Sequence, residues 1–263
     1  AAMAIYGVLG DIHGNREALE AALARLDAER VERLVCVGDV IGYNADPDGC
    51  VELLRASEVV CIAGNHDLIG TGGLGFERCS NKAMHSLKRT RRALSAETSA
   101  WVRALPSHCV LENRFLLTHG GVRDVQQYMT RPRHFVENVE YLRNDFPGIR
   151  LCFFGHTHEQ RVFEVDGERA SEVGTDAPLR EDREYFINPG SVDASRKHAH
   201  KLAEFAVFDS AALTVSFHRA RYDDETTESK AAAAGYRIDR WRDRLYDVQR
   251  RLVGPRHVES GAP

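Results

Sequence analysis

Asp11, His13, Asp39, Asn65, His66, His119, His156 and His158 carry the carboxylate, amide and imidazole groups that bind cations or move protons, and their placement follows a rule. Each lies just past the end of one of five short apolar runs: IYGVLG at 5–10, RLVCVG at 33–38, VVCIAG at 59–64, RFLLT at 114–118 and LCFFG at 151–155. In four runs a glycine (Gly10, Gly38, Gly64, Gly155) directly precedes the first polar group, as expected where a strand turns sharply close to a site. A single D-x-H or H-x-H says little. Five coincident strand-end placements point to a polynuclear metal site. Asp11 and His13, two residues apart beyond a strand end, can share one cation. Asp39, a lone carboxylate with two oxygens, can bridge two. The mixed oxygen and nitrogen donors suit manganese, iron or zinc better than magnesium or calcium. Two such ions about 3.5–4 Å apart lower the pKa of a shared water and clamp both oxygens of an in-line displacement, so the expected chemistry is hydrolysis at phosphorus.

The elements that would position these groups are legible. The five runs read as strands buried on both faces. Asn15 can cap a helix carrying Ala18, Leu19, Ala22, Leu23 and Leu26, and Asp46-Pro47 opens a second with Val51 and Leu54. This β-α-β-α-β order predicts a parallel sheet covered by helices, with strand carboxyl ends delivered to one edge. EYFIN at 184–188, LAEFAVFD at 202–209 and ALTVSFHRA at 212–220 read as consecutive strands of a second, more antiparallel sheet. Two sheets face to face with helices outside is the expected closure. Residues 80–93 and 96–104 read as helices, and about 166–183 as an exposed polar loop. Ile238, Trp241, Leu245, Val248 and Leu252 form an apolar stripe expected to pack on its own domain in preference to a dimer seam. One domain over 1–253 and a flexible tail at 254–263 are expected.

Composition narrows the function classes. With 263 residues and 43% apolar content the chain can bury a sizeable core. A net charge of −4 gives no general means of holding a polyanion, so nucleic acid is not an expected partner. The six cysteines show no C-x-x-C spacing and read as reduced core residues. No apolar run approaches the roughly 18 residues of a membrane span, and the chain enters its first strand with no signal-peptide architecture. The expected location is the cytoplasm.

The blocks DIHGN (11–15), GDVIG (38–42), GNHD (64–67), HG (119–120) and GHTH (155–158) resemble, in order and spacing, the calcineurin-like metallophosphoesterases, and NPGS at 188–191 extends the likeness. The resemblance implies a four-layer α/β/β/α sandwich of two mixed sheets flanked by helices. By motif it assigns Asp11, His13, Asp39 and His158 to one metal, and Asp39, Asn65, His119 and His156 to another. It makes His66 the general acid facing the scissile ester, oriented by Asp67. The implied cofactor is two divalent ions, Mn2+ first, with iron or zinc as alternatives. IGYNADPDGCVELLR and the NPGS block look most like the small prokaryotic branch related to diadenosine tetraphosphatases and YfcE-type phosphodiesterases. A small phosphorylated, nucleotide-like substrate and a monomer or homodimer are therefore expected. Gly42-Tyr43-Asn44 stands where serine/threonine protein phosphatases carry Asp-Arg-Gly, which argues against protein phosphatase activity. The expected function is a dinuclear metal-dependent phosphoesterase, phosphatase or phosphodiesterase. The alternatives are a non-catalytic binding scaffold of the same fold and a nuclease of the same chemistry.

Other motifs read as structural. G-x-G-x-x-G at Gly70, Gly72 and Gly75 follows the GNHD loop, not a strand, and reads as a mobile flap instead of a dinucleotide fingerprint. KRTRR at 88–92 reads as a solvated helix face, Asn81 as either a helix cap or a substrate contact, and Lys197, His198 and His200 as a surface cluster. Ser191 is not in a G-x-S-x-G elbow, and no cysteine has an arginine six residues on, so covalent catalysis is not expected.

Overall fold

The computed structural model describes residues 3–194 and 200–253. In chain order the elements are β1 (Ile5–Leu9), α1 (Arg16–Ala28), β2 (Arg33–Cys36), α2 (Pro47–Ala56), β3 (Val60–Cys61), α3 (Asn65–Thr71), α4 (Asn81–Ala93), α5 (Ala96–Arg103), β4 (Cys109–Leu111), β5 (Phe115–Leu117), α6 (Pro132–Asp145), β6 (Leu151–Phe153), β7 (Gln160–Asp166), β8 (Arg169–Val173), β9 (Glu184–Pro189), β10 (Leu202–Asp209), β11 (Thr214–Arg221), α7 (Asp224–Ala233) and α8 (Arg240–Val253). The Asn15 side chain accepts from Ala18 N and that of Asp46 from Gly49 N, each at 3.1 Å, which starts α1 and α2 where expected.

The strands form two mixed sheets, ordered β11-β10-β1-β2-β3 and β4-β5-β6-β9-β7-β8. In the first, β1, β2 and β3 are parallel, with Leu9 opposite Cys36 and Cys36 opposite Cys61. In the second, β5, β6 and β9 are parallel, with Leu117 opposite Phe153 and Phe153 opposite Ile187. Matched registers make the loops after these strands leave from a common edge of each sheet.

Side-chain alternation builds the layers. Tyr6, Val8 and Val35 pack between the sheets against Phe115, Phe153 and Phe208, while Leu9 and Cys36 turn outward onto α1 and α2. On the far side Leu116, Cys152 and Phe186 meet Phe135, Val139 and Leu142 of α6. Helices thus flank the paired sheets on both sides. Each fully buried Leu or Phe contributes about 1.5–3 kcal/mol, so the strand ends are held by a firm core.

Several local expectations need correction. Strands β10 and β11 do not join β9; they extend the first sheet, with β10 antiparallel to β1. The segment taken as a loop contains β8, which pairs with β7 as a hairpin. The α8 stripe does not pack inward: Trp241 and Val248 are 68% and 51% exposed, and Leu245 is exposed too. Helix α8 meets α4 through another face, where Asn81 donates to Asp243 Oδ1 at 2.9 Å and the Lys88 ammonium lies 4.8 Å from the Tyr246 ring. Asn81 is therefore a helix–helix contact, and Ser80 is the cap of α4. Within KRTRR, Thr90 is buried and Arg91 turns inward to Ile69 O at 2.8 Å, so that face is only partly solvated. Gly70 lies inside α3 and Gly72 ends it at φ 89°, so the glycine-rich segment opens as a helix, not a flap. Lys197, His198, the side chain of Leu252 and the 254–263 tail lie outside the described residues.

Candidate metal centre

All eight strand-end residues converge, and the loops that carry them are knitted together by backbone. Asp11 N donates to Gly38 O at 3.0 Å, Ile12 N to Asp39 O at 2.9 Å and Gly155 N to His119 O at 2.8 Å. Gly38 and Gly64 let two loops touch: a Cβ on Gly64 would stand 2.1 Å from Asp39 Oδ1, and one on Gly38, at φ 94°, would stand 2.5 Å from Gly64 N. Asp11, His13, Asp39, His156 and His158 all hold φ between 52° and 68°. That region is strained for residues other than glycine, at about 1–3 kcal/mol each, and is tolerated best by Asn, Asp and His.

Three donor groups result: Asp11 with His13 and His158, Asp39 with His119 and His156, and His13 with Asp39 and His66. The Nε2 atoms of His13 and His158 stand 3.2 Å apart, and His158 Nε2 lies 3.3 Å from Asp11 Oδ1. On the other side His119 Nε2 is 3.0 Å from Asn65 Oδ1 and 3.2 Å from Asp39 Oδ2. The same Oδ2 is 3.7 Å from His13 Nε2, so one carboxylate oxygen faces both groups. His119 and His13 turn Nδ1 to backbone oxygens, of Val37 at 2.8 Å and Ile41 at 3.3 Å, which leaves Nε2 pointing into the cluster.

Electrostatics match this donor set. Burial works against charge on both carboxylates, yet His158 beside Asp11 and His119 beside Asp39 outweigh it and hold both below the ordinary carboxylate range. Burial likewise opposes charge on His119, but Asp39 prevails and lifts it to about 9. A cation among His119, Asn65 and Asp39 would take the place of that proton. Burial pushes His156 down to about 3, and its buried Nε2 has no hydrogen-bond partner. Such an orphaned lone pair beside an ionised carboxylate suits a cation. The residues present fit divalent metal ions.

The description of the calcineurin-like phosphoesterase superfamily domain matches residues 3–212. The chain belongs to that superfamily. It is 28% identical over 221 residues to the uncharacterized protein MJ0912 of Methanocaldococcus jannaschii, a match covering 82% of this chain and 87% of that one. Among solved structures, a metallophosphoesterase from Sphaerobacter thermophilus superposes with a TM-score of 0.71 at 28% identity, over 92% of this chain and 98% of the other. Hypothetical protein PH1004 from Pyrococcus horikoshii OT3 gives 0.68 at 19% identity, over 92% and 97%, which shows the shared fold. As in the superfamily at large, the functional groups here are sets of His and Asp able to hold divalent metals.

In this superfamily member His66 lies against the rings of His13 and Tyr43, at 4.6 and 4.7 Å. Burial lowers it to about 3, and its Nδ1 has no hydrogen-bond partner. Asp67, expected to orient His66, acts on the backbone of its turn. Its carboxylate accepts from Gly64 N at 2.8 Å and Ile41 N at 3.1 Å, so it fixes the turn that carries His66. Burial raises Asp67 to about 7.

The NPGS block has a positioning role that residue type alone did not disclose. Asn188 Nδ2 donates to Gly155 O and Thr157 Oγ1, both at 2.9 Å, and so clamps the turn bearing His156 and His158. Ser191 Oγ donates to Asp11 O at 3.0 Å. The one available signal was their place at the end of a buried strand, Asn188 within it and Ser191 just past it. Over Asn65, His66 and His156 opens a cleft of about 170 Å³, walled by Tyr43, Arg78, Gln126 and Tyr128.

Proposed function

We propose that the protein is a dinuclear metal-dependent phosphoesterase acting on a small, nucleotide-like phosphorylated substrate. Asp11, His13, Asp39 and His158 hold one divalent cation, and Asp39, Asn65, His119 and His156 hold the other, with manganese favoured over iron or zinc. The observation that carries this reading is the single Oδ2 of Asp39, 3.7 Å from His13 Nε2 and 3.2 Å from His119 Nε2. When bound, divalent cations polarise a phosphoryl group and supply a water of low pKa.

The chain's own residues complete the site. His66 stands at the floor of the cleft and donates a proton to the departing oxygen. Burial keeps its imidazole neutral in the bare site, with a pKa of about 3. A phosphoryl anion nearby raises that pKa and bound cations lower it, so the acid role is read from the pH profile of turnover. Asp67 holds the His66 turn in place through Gly64 N and Ile41 N.

All six cysteines are free and five are buried, which supports a cytoplasmic location. No described helix is long and apolar enough to cross a membrane. The deciding experiment compares hydrolysis of nitrophenyl phosphate with that of the bis-ester, beside elemental analysis of bound metal. Turnover of one ester with about two metals per chain supports the proposal. No turnover of either by metal-loaded protein transfers support to the binding scaffold.

A further inference from the structure

We propose that Arg78 is a substrate-contacting residue that grips a phosphoryl oxygen, an inference that rests on the phosphoesterase reading above. Among the described residues, the cleft over Asn65, His66 and His156 is lined by one side chain of permanent positive charge, and that is Arg78. It projects from the segment between α3 and α4 and reaches across to the 121–128 segment. There Arg78 Nη1 donates to Asp124 Oδ1 and Oδ2 at 2.9 and 2.8 Å, and Nη2 donates to Gln126 O at 2.9 Å.

A guanidinium has five N–H donors in a fixed fork. These contacts leave Nε–H and one Nη2–H uncommitted among the described residues. Nε–H and the remaining Nη2–H are the donors an incoming phosphoryl oxygen can use. Asp124 and Gln126 therefore hold the fork ready, so little side-chain freedom is lost when an anion arrives. The Arg78–Asp124 pair is about half exposed, at 52% and 44%, and such pairs contribute little to stability. Its value lies in orientation.

The test uses full-length, metal-loaded protein with nitrophenyl phosphate as substrate and inorganic phosphate as inhibitor. Arg78→Gln is expected to raise both KM and the inhibition constant of phosphate about tenfold or more, the scale of a lost hydrogen bond to a charged group. Arg78→Lys should recover part of the loss, because a point charge remains without the fork. Metal content and melting temperature should match the parent protein. Parent turnover with both constants unchanged in Arg78→Gln overturns the assignment and leaves the phosphoesterase reading standing. Loss of metal from Arg78→Gln also overturns it, since the residue would then act on the metal centre. Metal-loaded parent protein that neither cleaves the ester nor binds phosphate overturns both.

Discussion

The peptide N–H of His66 donates to Oδ1 of Asp39 at 2.7 Å, and this bond divides the tasks of the carboxylate's two oxygens. Oδ1 anchors the turn that carries His66, while Oδ2 faces His13 and His119. Asp11 likewise anchors a ligand turn, accepting from His156 N with Oδ2 at 3.0 Å and Oδ1 at 3.2 Å, but its Oδ1 also faces His158. In Asp39→Asn the amide oxygen can keep the His66 bond, which turns an NH2 donor toward the two imidazoles. Expected results are loss of one or both metals and nearly all activity, with an unchanged circular dichroism spectrum. A fully active variant would remove the bridging assignment.

His66→Ala should keep its metals and slow turnover by roughly 10²-fold or more, the scale of one general acid. His66 also stands within ligand reach of His13 and Asp39. Elemental analysis therefore decides its role, because a variant that arrives short of metal would make His66 a ligand.

Asn188→Ala should loosen the turn that holds two candidate ligands. Gly155 O and Thr157 Oγ1 would lose a buried donor, at a cost of about 1–3 kcal/mol. The melting temperature should fall by about 2–4 °C per kcal/mol lost. Metal affinity, read by titration, should weaken about 10–100-fold, as for other residues that orient ligands. Unchanged values in both measurements would assign the NPGS block to folding alone.

Gly64→Ala should be poorly tolerated, since its Cβ would meet Asp39 Oδ1 at 2.1 Å and Asp39 N at 2.3 Å. Destabilisation of about 1–3 kcal/mol by overpacking, with loss of metal, is expected. Gly73→Ala serves as the control, because its nearest new contact is 3.5 Å away. A change within about 0.5 kcal/mol is expected there by chemical denaturation.

The convergence of ligands was legible because it is local: each lies directly past an apolar run, and parallel strands share one edge. Which sheet a strand joins is not local, and that is why β10 and β11 were expected beside β9. The β7–β8 hairpin was hidden by its polarity, since β8 has no buried residue and only Ala170 and Val173 are half-buried. The α8 stripe shows the limit of periodicity, which identifies an apolar face but not what covers it. The contacts of Asp67 and Asn188 were out of reach because their partners, mostly backbone atoms, are brought near only by folding.

The left-handed backbone at Asp11, His13, Asp39, His156 and His158 sets a ceiling on how stable this fold can be while it carries those side chains. Glycine enters that conformation freely, and a lineage screened for folding alone would drift toward it. Strain of about 1–3 kcal/mol per position, less up to about 1 kcal/mol for glycine's looser unfolded chain, is stability forgone five times over.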